Sequence, residues 1–157
     1  MKSKKLYLSI LSLWFTLTCF VDFIVVPTVF RNVSSRAEAG DIGMIVFSLV
    51  NKIEFICALL VIVCAYFFRA QIKKKILFFA TLVSLTLLTL VYNVHMTPEV
   101  KKQTLLMRDV SEDSEQYLQA QKTHHYYHSL YKKTDGVKIL VLLFLLSAGI
   151  LKKESEV

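Results

Sequence analysis

From Leu6 to Val21 the chain carries no charged side chain, and the apolar run continues past Asp22 to Phe30. As a helix that run is about 37 Å long, enough to cross a hydrocarbon core of about 30 Å with some tilt. Three more apolar runs follow: Ile42 to Phe68, Ile76 to Val94, and Ile139 to Leu151. The last is short of the ~20 residues a span needs. Its helix is therefore expected to begin near Leu130 and to carry Asp135 and Lys138 into the membrane edge. The predicted fold class is all-α, an integral membrane four-helix bundle forming a single domain. Its spans are placed at 6–30, 42–68, 76–96 and 130–151. A partly helical extramembrane segment joins helices 3 and 4.

Composition supports lipid as the solvent. Hydrophobic residues make up 55% of the chain and mean hydropathy is +0.52, with the excess gathered in the four runs. The net charge of +7 does not point to nucleic acid. Lysines and arginines sit at the ends of runs (Lys2, Lys4, Lys5; Arg69, Lys73, Lys74, Lys75; Lys152, Lys153), where basic residues set topology. That placement puts both termini and the Arg69–Lys75 turn in the cytoplasm, most simply of a bacterial inner membrane. The first run is not read as a secretory signal, because no small-x-small cleavage site follows and the apolar stretch goes on too long. Cys19, Cys57 and Cys64 all lie inside apolar runs, which argues for packing rather than a disulfide framework.

The connecting segments differ in kind. Arg31 to Asp41 reads as a polar turn, with Gly40 and Gly43 giving flexibility or close packing. Arg69 to Lys75 is a compact basic turn. Asn93 to Lys133 reads as an exposed, partly helical excursion, with Pro98 marking a kink or restart and Ser111–Glu115 a solvated break. No internal repeat, Pro-rich linker or low-complexity tract is evident.

Polar groups within the runs are the candidate site, because an ionisable residue at membrane depth is costly and calls for a function or a partner. Asp22 and Lys52 fall at similar depth on either side of the first turn and are expected to pair. Asn51 and Glu54 are three apart and share a helix face. Glu54 is expected to be protonated, paired or facing a polar cavity. His124 and His128, spaced i, i+4, can chelate a transition metal or flank a haem. The run His124–His128, rich in His and Tyr, equally suits an interfacial belt, as does His95 at the end of the third run. Cys57 and Cys64 are nearly on one face, but as soft-metal ligands they need a third partner. No nucleotide-binding glycine loop, zinc-protease helix or nucleophile elbow is present, so a soluble catalytic domain is not expected.

Longer motifs carry a family likeness. PTVFRNVSSRAEAGDIGMIVF with the following Asn51 and Glu54, then YNVHMTPEVKK, then YYHSLYKKTDG, together resemble the small four-helix membrane family that includes transmembrane protein 205. Pro27, Phe30, Gly40, Phe47, Asn93, Pro98 and His128 fall on its motif positions. Ser129 replaces the family's usual Gly, and Asp135 stands where Asn is usual. The resemblance implies a multi-pass protein, mostly of unknown function in that family, with a link in animals to platinum-drug resistance. It also implies a fold similar to copper-resistance protein D and to a haem-binding membrane protoporphyrinogen oxidase.

Three functions are expected to compete. The first binds or passes a cation or small solute through a polar interior lined by Asp22, Asn51, Lys52 and Glu54. The second is a haem- or metal-dependent redox protein using His95, His124 or His128. The third is a non-catalytic scaffold with a membrane partner or a second copy of itself.

Overall fold

The computed structural model describes residues 2–72 and 74–154, and among them the regular structure is entirely helical. Helix α1 (Lys2–Phe20) passes through a π-helical turn (Val21–Val25) into α2 (Val26–Asn32). Helix α3 (Arg36–Phe67) returns. A 3-10 turn (Arg69–Gln71) leads to α4 (Lys75–Val91), a second π-helical turn (Tyr92–Met96) and α5 (Thr97–Asp109). Helix α6 (Glu115–Glu154) completes the chain. Of the basic turn, Lys73 lies outside the described residues.

Both π-helical turns have the same local cause. Pro27 and Pro98 sit in the first turn of α2 and α5. Each lacks the N–H that would bond the carbonyl four residues back, and its ring crowds that carbonyl. The helix widens instead, so that Val26 N–H reaches the Val21 carbonyl and Thr97 N–H reaches the Tyr92 carbonyl. Both helices therefore run on through the proline, as Pro-containing membrane helices do when π adjustments re-satisfy the backbone.

The first polar turn is shorter than the sequence implied. It is Val33 to Ser35, and α3 starts at Arg36. Ser35 caps it, its hydroxyl accepting from Glu38 N–H at 3.1 Å, the first half of an S-x-x-E capping box. Gly40 and Gly43 are helical residues, not turn residues. A Cβ on either meets no atom within 4 Å, so close packing is not their role. Ala and Glu beside Gly40 favour helix enough to carry the two glycines, which cost about 1 kcal/mol each.

Three continuous helical stretches are long and apolar enough to cross a membrane: Ser3–Asn32, Glu38–Phe67 and Lys75–Asp109. The expected fourth, at 130–151, is the inner part of the 40-residue α6 and does not reach that standard. Lys132, Lys133, Asp135 and Lys138 dilute its hydropathy. The many exposed apolar side chains fit a lipid surround. Ile76 is 89% exposed, Phe67 72% and Ile45 70%, and such an array in water would form patches that monomeric soluble proteins avoid.

Helix α1 packs against α3 and α6, α3 packs against α4, and α5 packs against α6. The buried apolar core draws on four of these helices. Leu11 and Trp14 of α1, Val61 of α3, Leu82 of α4 and Leu142 of α6 are each at most 1% exposed. Tyr7 edges against Phe68 with ring centroids 5.2 Å apart, closing this layer at the end that holds the basic turn.

Candidate functional site

Beyond the apolar layer, toward the π-helical turns, the interior becomes polar. Thr18, Asn51, Glu54, Thr89, Asp135 and Lys138 are all buried. Depth along the helices explains the meeting. Thr18, Glu54 and Lys138 each stand about 20 Å of helical rise from Lys5, Phe67 and Leu151 respectively. Helix α1 therefore delivers Thr18, α3 delivers Glu54 and α6 delivers Lys138 to one level.

Lys138 is the centre. Its ammonium is 2.7 Å from Glu54 Oε2, pairs also with Asp135 Oδ1, and lies 5.3 Å from the centroid of the Tyr92 ring. The ammonium thus donates to one carboxylate, is ion-paired with a second and faces an aromatic ring. The Thr18 hydroxyl meets the other Glu54 oxygen at 2.5 Å and also its own helix at the Trp14 carbonyl. Asp22, half-buried on the first π-helical turn, is within side-chain hydrogen-bonding reach of Asp135. Ion pairing of this kind is what a low-dielectric interior demands of buried charge.

A neutral hydrogen-bonded cap lies beside this cluster. Asn51 Nδ2 donates to Thr97 Oγ1 at 2.9 Å, and Asn51 Oδ1 accepts from Tyr131 OH at 2.8 Å. Asn93 Nδ2 donates to the Asn51 and Thr89 carbonyls, both at 2.8 Å. Tyr92 stacks on Tyr131 with centroids 4.4 Å apart and donates its OH to Thr134 Oγ1. Phe47 meets Tyr131 edge-on at 5.4 Å. Asn93 thus sits where the second π-helical turn frees space, as Asp22 does at the first.

Asn51, Glu54 and Asn93 are therefore brought to the interior, with Asp22 at its margin. Lys52 is not, and the expected Asp22–Lys52 pair is corrected. Lys52 is exposed and shares a face of α3 with Ile45, Leu49 and Ile56, which are 70%, 59% and 56% exposed. Helical side chains lean toward the N-terminus. Lys52 thus leans away from the basic-turn end of α3. The buried cation is Lys138, which lies inside the polar layer and not at the membrane edge expected from the sequence. A signal for it exists: Asp135 and Lys138 repeat the i, i+3 spacing of Asn51 and Glu54.

The histidines stand apart. His95 is exposed, and its Nε2 is 3.1 Å from Tyr127 OH. His124 and His128 have ring centroids 6.0 Å apart. Burial lowers the His124 pKa below its ordinary value, with the neighbouring His125 adding to the effect. Among the described residues no group of three or more His, Cys, Asp or Glu is arranged to hold a metal ion. Cys57 and Cys64 are buried in the apolar layer and act there as small hydrophobes. Pro27, Phe30, Gly40 and Pro98 contribute no group to the polar cluster.

Residues 9–105 match one family model, described as a domain of unknown function, DUF4149. The chain belongs to that family. No curated protein and no solved structure matches the chain. The DUF4149 match runs from α1 through most of α5. It includes Asp22, Asn51, Glu54 and Asn93, and stops before Asp135 and Lys138.

Proposed function

We propose that this DUF4149 protein is a four-span membrane protein that binds a small cation in its polar layer. The observation that carries this reading is the charge count of the cluster. Glu54 and Asp135 pair with a single ammonium, Lys138, and Asp22 joins the cluster through Asp135. Three carboxyls against one cation leave a negative excess in a place where uncompensated charge is expensive, and a cation offsets it.

Binding is favoured over free passage. Leu11, Trp14, Val61, Leu82 and Leu142, each at most 1% exposed, close the side toward the basic turn. Access is from the other side, along the half-buried Asp22. The fourth span is part of the proposal. Asp135 and Lys138 face inward, whereas Val137, Leu140 and Phe144 of the same helix are 60%, 67% and 69% exposed. That division suits a helix with lipid on one side and a polar partner on the other. Cytoplasmic termini, a bacterial inner membrane and the likeness to the transmembrane protein 205 family belong to the same reading.

The test uses Glu54→Gln in cells and in purified form. The substitution should weaken cation-dependent stabilisation of the purified protein and change cation tolerance or uptake in cells. Wild-type behaviour in both assays at normal protein level contradicts the proposal.

A further inference from the structure

A constant offset along the sequence carries Leu11, Trp14, Thr18, Val21, Asp22 and Pro27 onto Leu82, Leu85, Thr89, Tyr92, Asn93 and Pro98. The first four of each set are buried. Each set also has its π-helical turn at the same place before the proline. A second constant offset carries Phe47, Asn51, Glu54, Ala58 and Val61 of α3 onto Tyr131, Asp135, Lys138, Leu142 and Leu145 of α6. From Asn51 onward both members of every pair are buried. The two offsets differ because α5 runs further past its proline than α2, the connection after it is longer, and α6 begins further ahead of Tyr131 than α3 does of Phe47.

Contacts obey the same correspondence. Glu54 and Lys138 are equivalents and touch each other. Phe47 and Tyr131 are equivalents and touch each other. The contact of Asp22 with Asp135 is mirrored by the contact of Asn93 with Asn51. This is the pattern of two parallel repeats related by an axis along the membrane normal, with their polar groups meeting near that axis. The correspondence went unseen in the sequence because few of the paired residues are identical.

The two mirrored contacts differ in chemistry. In one, amide Asn93 donates to the backbone carbonyl of Asn51, and the pair is neutral and complete. In the other, two carboxyls face each other, and neither has a hydrogen to donate unless one is protonated. Asp135 is 4% exposed, and its Oδ1 has no hydrogen-bond partner beyond its ion pair with Lys138. Resting on the cation-binding reading above, we propose that the cation is a proton, shared between Asp22 and Asp135, and that the chain is a duplicated hairpin in which only one of the two equivalent sites has kept it. The proton joins the two carboxyls as an O–H···O⁻ hydrogen bond, the short charge-assisted kind. With it bound, the cluster holds two carboxylates and one ammonium. Glu54 and Lys138 pair with each other, and the residual charge on the dyad faces Lys138. Other titratable groups around the dyad are Cys19 on α1, Tyr92 on the second π-helical turn and Tyr131 on α6. Asp22, half-buried, is the member a proton reaches first.

Infrared difference spectroscopy of the purified full chain in lipid reads this directly through the carbonyl band of a protonated carboxyl. Wild type should show the band near neutral pH and in sodium-free buffer. Asp22→Asn should abolish it, and Asp135→Asn should abolish it too. Asp41→Asn, at an exposed carboxyl paired with Arg108, should leave it unchanged. If Asp135→Asn fails to fold because Lys138 loses a partner, the near-isosteric Asp22→Asn alone decides. A wild-type protein without the band, a band that survives Asp22→Asn, or a band that disappears on adding sodium each overturns the proposal. A band that behaves as expected, with transport and tolerance unaffected in Glu54→Gln, keeps the dyad and removes the broader functional reading.

Discussion

Replacing Lys138 by Met should be among the most damaging single changes in this protein, and the damage should be repairable. The side chain is 1% exposed and pairs with two carboxyls at once. Met keeps the length and removes the charge. Glu54 and Asp135 then face each other with no cation between them. At about 5 Å and an effective dielectric of about 20, two such charges repel by about 3 kcal/mol. Breaking a buried pair by removing one partner costs about 3–5 kcal/mol in total. Adding Glu54→Gln to Lys138→Met removes one of the stranded charges, and the amide can still bond Thr18. The double variant should recover about 1–3 kcal/mol, the usual coupling of contacting residues. Reversible unfolding in bicelles or mixed micelles measures all three variants against wild type. If the double variant is no more stable than Lys138→Met alone, the cost does not come from stranded charge, and the ionic account of this layer is wrong.

Other substitutions separate packing from charge. Lys52→Ala, at the lysine on the exposed face of α3, should change stability by no more than about 0.5 kcal/mol, as surface changes usually do. A loss on the scale of Lys138→Met would place Lys52 in a buried pair after all. Trp14→Ala should cost about 3–5 kcal/mol by opening a cavity in the sealed layer, read by the same unfolding assay; near-neutrality would mean that layer is loosely packed. His124 titrates below the ordinary 6.5, so its contribution is complete above that value and is lost as pH falls through the folded-state pKa. Replacing it with Gln should flatten the acid limb of the stability profile between those limits, and an unchanged limb contradicts the assignment.

Helical class and membrane-length runs were legible in the sequence because lipid leaves the backbone few alternatives. The rotational phase of α3 is legible too. Asn51, Glu54, Ala58, Val61 and Ala65 form one stripe of polar and small residues, which membrane helices turn toward each other. Ile45, Leu49, Lys52 and Ile56 form the opposite stripe. Depth alone, without phase, paired Asp22 with Lys52. Depth also misled at Asp135 and Lys138, because the fourth run looks too short for a span. Its polar part is inside a single 40-residue helix, and only the structure shows that its charged face finds Glu54. The proline-driven π-helical turns were not foreseen as such. Proline marks a kink in the sequence, but whether the helix breaks or widens depends on the neighbours that hold it.

Everything proposed about the buried ions requires α6 to cross the bilayer, so its sidedness is the measurement to make. In a background with Cys19, Cys57 and Cys64 replaced by serine or alanine, single cysteines at Glu115 and Glu154 are labelled with an impermeant maleimide in intact and in lysed cells. The account predicts that Glu115→Cys reacts in intact cells and Glu154→Cys reacts only after lysis. Reaction of both positions from the same side would mean that three helices span the membrane, and would leave Lys138 and its carboxyl partners without the environment on which the account depends.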